Sequence, residues 1–189
     1  MIPKLPPKIK AQTSPPRSAC GYDTLKIINA AYIRNFTFGA EDGLSSTVGL
    51  LSGIASANVP QTTILVTGLI LIFTEAMSMG VGSFLTEQSV SEFKTHHDLP
   101  LSKSLPGSLV MFFSYLFSGL IPLSPYIFLP PSSALWFSVA LSLSSLCLLG
   151  LINARISGTN LFRQARRMLI LGGSVAVSGV FLGVFLKGI

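Results

Sequence analysis

Five long apolar segments dominate the sequence and restrict the folds that it can adopt. A helix needs about 20 mostly apolar residues to cross a bilayer. Segments of this kind cover residues 40–58, 62–85, 105–129, 134–152 and 168–186. The chain has 189 residues, of which 49% are hydrophobic and 11% charged, and its mean hydropathy is +0.64. These features predict an all-α integral membrane protein with five transmembrane helices.

The basic residues are distributed unevenly around these spans and predict their orientation. Of the thirteen Lys and Arg residues, only Lys187 falls on the far side of the predicted membrane. Because Lys and Arg collect in cytosolic loops, we expect a cytosolic N-terminus and an extracytosolic C-terminus. The net charge of +6 then reflects topology, and no nucleic-acid partner is expected.

The chain divides into a short tail and one membrane domain. Residues 1–22 hold five of the twelve prolines and no long apolar run, which predicts a disordered cytosolic tail. Residues 23–189 are predicted to form one five-helix transmembrane domain, in which residues 23–38 extend the first span into the cytosol. Cys20 and Cys147 lie in the tail and in the fourth span, so no disulfide is expected.

Two acids inside the predicted spans point to function. Asp42 and Glu75 lie in otherwise apolar sequence that is rich in small residues. A charge at membrane depth costs roughly 2.5–3.5 kcal/mol on insertion scales and is kept mainly where it handles ions or protons. Met79 follows Glu75 by one helical turn, and a carboxylate beside a thioether suits a transition-metal ion. We therefore predict an ion path at Asp42, Glu75 and Met79.

A structural role is the alternative for each of these three residues. Asp42 precedes an apolar run and could cap a helix. Glu75 could hydrogen-bond to serines of a neighbouring helix, and Met79 could fill a gap in the packing. The sequence leaves both interpretations open.

Other polar residues form a weaker candidate site. Ser46 shares a face of the first span with Asp42, and more metal-capable residues follow the second span. The members of this possible secondary path, or set of cytosolic metal contacts, are Ser46, Glu87, Glu92, His96 and His97. A solvated loop is the alternative interpretation of residues 88–104, the connector between the second and third spans.

The first span is the least hydrophobic of the five and carries a stripe of small and polar residues. Gly49 and Gly53 belong to this stripe and are predicted helix-packing residues, because glycine lets backbones approach closely. A polar stripe in lipid must face protein or water. The first span is therefore expected inside a helix bundle or at the axis of a homodimer.

Four sequence blocks resemble the vacuolar iron transporter family. They occur in the family's order, cover most of residues 40–186, and read DGLSSTVGLLSGIA, EAMSMGVGSFL, SGLIPLSPYIF and LLGLINARISGTNLFRQARRMLILGG. The resemblance implies a five-span homodimer that moves Fe²⁺ or Mn²⁺ out of the cytosol against protons, along a path between the first two helices. It matches Asp42 to the family aspartate and Met79 to the methionine of its Ser-Met pair.

Two departures from the family pattern concern metal binding. Members with a glutamate-rich cytosolic domain carry it between the second and third spans, where this chain has only residues 88–104. The chain is in this respect similar to shorter, nodulin-like relatives. Some members also have a span-2 glutamate at the position of Leu71, and another branch has one at Ser83. Glu75 lies on nearly the same face as Leu71 and is predicted to replace that glutamate.

We therefore expect a proton-coupled divalent-metal transporter with no permanently bound cofactor, whose partners are Fe²⁺ or Mn²⁺, protons and lipid. The alternative is a non-transporting membrane scaffold whose small-residue stripes serve helix association. An enzyme is not expected, because no nucleophile–base pair or cofactor motif occurs. The expected location is the plasma membrane in a prokaryote, and a vacuolar or other organelle membrane in a eukaryote.

The orientation can be tested with fused reporters. A reporter placed after Ile189 should be extracytosolic and one placed after Lys103 cytosolic, because three predicted spans lie between the two positions. Protease protection or a compartment-specific fluorescence reporter measures this. Finding both reporters on the same side would contradict the five-span topology.

Overall fold

Six helices make up the part of the chain that the structure describes. The computed structural model describes residues 17–95 and 100–188, with side chains for residues 30–93 and 100–188. The helices are α1 (Arg17–Ser56), α2 (Gln61–Thr95), α3 (Leu101–Leu123), α4 (Pro125–Phe128), α5 (Pro131–Ser157) and α6 (Leu161–Lys187). No strand occurs in these residues, which confirms the all-α prediction. Each predicted span lies within one long helix except for at most two of its residues, α4 being a one-turn continuation of α3, and several helices extend well beyond the predicted spans.

The connections define the two ends of the bundle. The α2–α3 and α5–α6 connections lie at the end that we call the inner end, because the sequence predicts it to be cytosolic. The α1–α2 and α4–α5 connections lie at the opposite, outer end. Residues 17–22, predicted as part of the tail, belong to α1, which begins directly after the last tail proline, Pro16. The rest of that predicted tail, residues 1–16, lies outside the described residues.

α1 occupies the interior of the bundle. By length and composition, α2, α3 with α4, α5 and α6 are apolar enough to cross a membrane, whereas α1 carries two adjacent acids and many small polar residues. α1 packs most extensively on α3 and α6, less on α5, and least on α2. Thr47, Val48, Leu51 and Ser52 are almost completely buried. α1 therefore lies inside the bundle, which is the first of the two locations predicted for it, and the stripe residues Asp42, Ser46 and Gly53 are half-buried.

Pro122 and Pro125 interrupt the third span near its outer end. α3 ends one residue after Pro122, and α4 begins at Pro125. Pro125 has no N–H to donate to the Ile121 carbonyl, and the Ser124 hydroxyl donates to that oxygen instead, at 2.8 Å. Ser138 of α5 donates to the Pro122 carbonyl at 2.7 Å. Side-chain hydroxyls thus satisfy carbonyls near the break and join it to α5.

Glycines bring the backbones of α1 and α6 into contact. A Cβ atom added to Gly179 would overlap the Gly49 carbonyl, and one added to Gly183 would overlap the Gly53 carbonyl. A Cβ atom on Gly53 would lie 2.9 Å from the Gly179 carbonyl oxygen. The face that Gly49 and Gly53 present is therefore occupied by α6 of the same chain, and a second copy of the first span would have to meet α1 on another face.

This contact predicts a stability difference between two glycines of α6. Gly179→Ala should lower stability by about 1–3 kcal/mol, because the added methyl group forces the helix backbones apart. Gly173→Ala is the matched control, because a Cβ atom there meets nothing within 4 Å and the gain in helix propensity is the same. Thermal unfolding of the detergent-solubilised protein measures both. Equal melting temperatures for the two variants would contradict the close α1–α6 packing.

Candidate functional site

Three helices meet at Glu75. Ser46 of α1 donates to Glu75 Oε2 at 3.2 Å, and the Tyr115 hydroxyl of α3 donates to the same carboxylate oxygen. The Ser46 and Tyr115 hydroxyls also contact each other. Tyr115 is completely buried. The carboxylate of α2 is thus held by hydroxyls from both neighbouring helices.

Asp42 lies one turn before Ser46 on α1 and is half-buried. Its carboxylate is close enough to Glu75 for the two to interact electrostatically. Two like charges in one partly buried site repel each other unless a proton or a cation lies with them. We call Asp42, Ser46, Glu75 and Tyr115 the carboxylate cluster; its charges favour the binding of a cation.

A glycine lets α3 approach close enough for Tyr115 to join the cluster. Gly43 directly follows Asp42, and a Cβ atom there would lie 2.7 Å from the Tyr115 carbonyl oxygen. A larger residue at this position would push α3 away. The Asp-Gly pair that opens the first span therefore supplies an acid and also the space for its partner helix.

Met79 lies on the inner side of Glu75 and lines a groove of about 540 Å³. This inner groove is bounded by α1, α2 and α3, and it includes Phe38, Ser78, Met79, Ser83 and Met111. Met111 is buried and supplies a second thioether. The inner groove therefore offers two soft sulfur atoms and several hydroxyls, a donor set that suits a borderline divalent metal.

A second groove, of about 550 Å³, lies on the outer side of the cluster. This outer groove includes Ser46 and Glu75 and is bounded by α1, α2 and α6. Along α1, the inner groove ends at Phe38 and the outer groove begins at Ser46, so that Asp42 lies between them. The carboxylate cluster therefore lies at the inner end of the outer groove, with Asp42 between the two grooves. Both grooves border the sparsely packed α1–α2 contact, which we call the seam.

The predicted secondary residues have different environments. Glu87 is half-buried, and its Oε1 accepts a hydrogen bond from Asn35 Nδ2 at 3.3 Å. Glu92 is exposed, whereas His96 and His97 lie outside the described residues. In the described part of the chain, no group of three or more His, Cys, Asp or Glu side chains could hold a metal ion. A metal ion bound within one chain would therefore need hydroxyl, thioether, backbone or water ligands in addition to carboxylates.

Sequence reasoning missed three residues near the path: Asn35, Met111 and Tyr115. Tyr115 lies in a run of α3 where small polar residues recur at helical spacing, and this stripe was the available signal. Asn35 precedes Asp42 by two turns and so shares its face, but the predicted boundary of the first span excluded it. Nothing in the sequence around Met111 distinguishes it from other methionines.

The sequence is similar to plant vacuolar iron transporters. Vacuolar iron transporter 1 of Tulipa gesneriana is 24% identical over 200 aligned positions, covering 74% of this chain and 81% of the relative. Vacuolar iron transporter homolog 2 of Oryza sativa subsp. japonica is 27% identical over 164 positions, covering 78% of this chain and 86% of the relative. The shorter alignment covers more of this chain, so it needs fewer gaps.

The family model for the VIT family matches residues 33–105 and 93–184. These two segments contain the whole carboxylate cluster, both methionines of the inner groove and parts of all five long helices. The match confirms the resemblance that the sequence blocks indicate, and with it an integral membrane location. The chain belongs to the VIT family.

Proposed function

We propose that this protein moves Fe²⁺ or Mn²⁺ out of the cytosol in exchange for protons, along the inner groove, the carboxylate cluster and the outer groove. The observation that carries the proposal is the position of two interacting acids on neighbouring helices: Asp42 lies between the two grooves, and Glu75 lines the inner end of the outer groove. The names of the relatives, vacuolar iron transporters, support iron as cargo and a vacuolar membrane as the location in a eukaryote.

The ligand chemistry supports a divalent transition metal. One divalent cation balances the two carboxylates of Asp42 and Glu75, and the Ser46 hydroxyl lies beside them. On the inner side, Met79 offers sulfur, which Fe²⁺ accepts more readily than Mn²⁺ does and which a hard ion such as Mg²⁺ does not favour. Metal entering by the inner groove would meet the thioethers first and the carboxylates second.

Proton coupling follows from the same carboxylates. A carboxylate must lose its proton to bind a cation, so that metal binding releases protons and protonation releases metal. The hydroxyls of Ser46 and Tyr115 donate to Glu75 and hold its side chain in place in both states. A cluster that exchanges one cargo for the other supports antiport.

The remaining predicted residues act at the inner, cytosolic end of the path in this proposal. Glu87, Glu92, His96 and His97 would be first contacts for metal arriving from the cytosol. A homodimer is proposed on the family resemblance, and its interface would use a face of α1 other than the one that Gly49 and Gly53 present to α6.

The alternative function, a membrane scaffold, draws on one specific observation. The hydrogen bonds of Glu75 to Ser46 and Tyr115 join three helices, as a structural glutamate would. Asp42 weighs against it, because a second carboxylate close to Glu75 destabilises a purely structural network. A scaffold predicts no metal flux at all.

Glu75→Gln tests the path directly. Glutamine still accepts hydrogen bonds from Ser46 and Tyr115 but carries no charge, so the protein should fold while metal flux falls to the level of protein-free liposomes. Flux of Mn²⁺ or Fe²⁺ into proteoliposomes with an acidic interior measures this. The exposed Glu92 supplies the control, Glu92→Gln, which should keep most of the flux. Wild-type flux in a well-folded Glu75→Gln variant would remove Glu75 from the mechanism.

Met79→Leu tests the thioether. Leucine keeps the volume but removes the sulfur, so flux should fall and the preference between Fe²⁺ and Mn²⁺ should change, with the softer Fe²⁺ losing more. Met77→Leu is the matched control, because Met77 is exposed on another face of α2. Competition between the two metals in the same vesicles gives the preference. An identical preference in both variants would show that Met79 contacts no transported ion.

A further inference from the structure

A buried amide bridges three helices at the inner end of the seam. Asn35 of α1 is only 1% exposed. Its Nδ2 lies 3.1 Å from Ser83 Oγ and 3.3 Å from Glu87 Oε1, both on α2. The same nitrogen lies 3.1 Å from the Gly107 carbonyl oxygen of α3. One side chain therefore fastens α1 to both neighbours.

The Asn35 amide is oriented by Arg34 and has fewer N–H hydrogens than the acceptors around it. The Arg34 guanidinium donates to Asn35 Oδ1 from Nε at 3.4 Å and from Nη2 at 3.3 Å, which turns Nδ2 toward the three oxygens. An amide nitrogen has two hydrogens, so three acceptors compete for two bonds. Ser83, Glu87 and the Gly107 carbonyl thus form an oxygen-rich cradle with one negative charge, which a cation would satisfy better than the amide does.

The cradle is built for close approach. A Cβ atom on Gly107 would lie 2.6 Å from Glu87 Oε1 and 3.1 Å from Asn35 Nδ2. Any larger residue at position 107 would displace the carboxylate or the amide. The absence of a side chain lets the α3 backbone reach the bond between α1 and α2.

The bridge also lies across the route to the site. Asn35 and Ser83 both line the inner groove, on opposite sides of the seam, and the groove leads from them to Met79. α1 packs less extensively on α2 than on α3 or α6. The Asn35 bonds to Ser83 and Glu87 therefore join α1 to α2 across the inner half of the seam.

We propose that Asn35 is a gate at the inner mouth of the path and that a divalent cation bound by Glu87 opens it. The cation binds the Glu87 carboxylate, and the hydrogen bond from Asn35 Nδ2 to that carboxylate breaks. α1 and α2 then separate enough to expose the inner groove. The identity of the cation rests on the proposed function; the gate rests on the geometry of Asn35. It gives Glu87 a regulatory role in addition to that of a first contact.

The gate can be tested by the accessibility of the groove. Met111 is buried in the wall of the inner groove, so Met111→Cys, in a background with Cys20→Ser and Cys147→Ser, places a thiol behind the gate. The rate of maleimide labelling in lipid nanodiscs is measured without metal. Asn35→Ala should raise this rate several-fold. Asn153→Ala, which removes an amide from the inner part of α5, should leave it unchanged, and equal rates in the two variants would overturn the proposal.

A second arm uses Mn²⁺ alone and an intact Asn35, so it does not depend on whether Asn35→Ala folds. Mn²⁺ should raise the labelling rate of the thiol several-fold. Glu87→Gln should abolish this response yet keep the slow basal rate, because glutamine still offers an oxygen to Asn35. Ser89→Ala, at an exposed position of α2, should keep the response. A Mn²⁺ response that survives Glu87→Gln, or no response with Glu87 intact, would overturn the proposal.

The labelling assay is independent of transport. Metal flux combined with labelling that ignores Asn35 and Glu87 would overturn the gate and leave the proposed function standing. A gate that opens with Mn²⁺ in a protein that carries no metal into liposomes would overturn the proposed function and leave the gate standing.

Discussion

Asp42 and Glu75 cannot face hydrocarbon, and this constraint decides how the other helices are arranged. A bilayer neither solvates a charge nor supplies hydrogen bonds. The helix that carries Asp42 is accordingly enclosed by α3, α5 and α6 and borders α2, and Glu75 points to hydroxyls on two other helices. The apolar helices α2, α3, α5 and α6 form the boundary with lipid. The need to keep these two charges away from hydrocarbon therefore accounts for both the position of the acids and the packing of the helices around them.

α1 is held unequally on its different sides. Glycines bring it against the α6 backbone, and Gly43 brings it against the α3 backbone near Tyr115. Contacts of this kind tolerate little movement, because carbonyl groups and helix backbones are not compressible. The side toward α2 has two grooves and a few polar bridges. A change of access from one end of the path to the other would therefore occur at the seam, with α1, α3 and α6 as the fixed part.

Much of this arrangement could be predicted from the sequence, and the remainder could not for identifiable reasons. Hydropathy located the five long helices, because a span must be apolar over its whole length, and the cost of burying charge singled out Asp42 and Glu75. Gly49 and Gly53 were assigned to close packing, but periodicity within one helix does not say which helix packs there. Asn35 and Tyr115 were missed because their role depends on partners far away in sequence, on α2 and α3.

α2 is the helix that depends most on the membrane itself. It has 35 residues, or roughly 52 Å at 1.5 Å per residue, and Val66, Ile70, Phe73 and Val81 of its outer surface are more than half exposed. Protein holds it mainly through α3, and lipid covers the rest. A helix tilts when its apolar stretch is longer than the hydrocarbon layer, and any tilt of α2 would change its distance from α1. Bilayer thickness would thus affect the separation of α1 and α2 at the seam. Movement along the path would then proceed at different rates in membranes of different lipid composition.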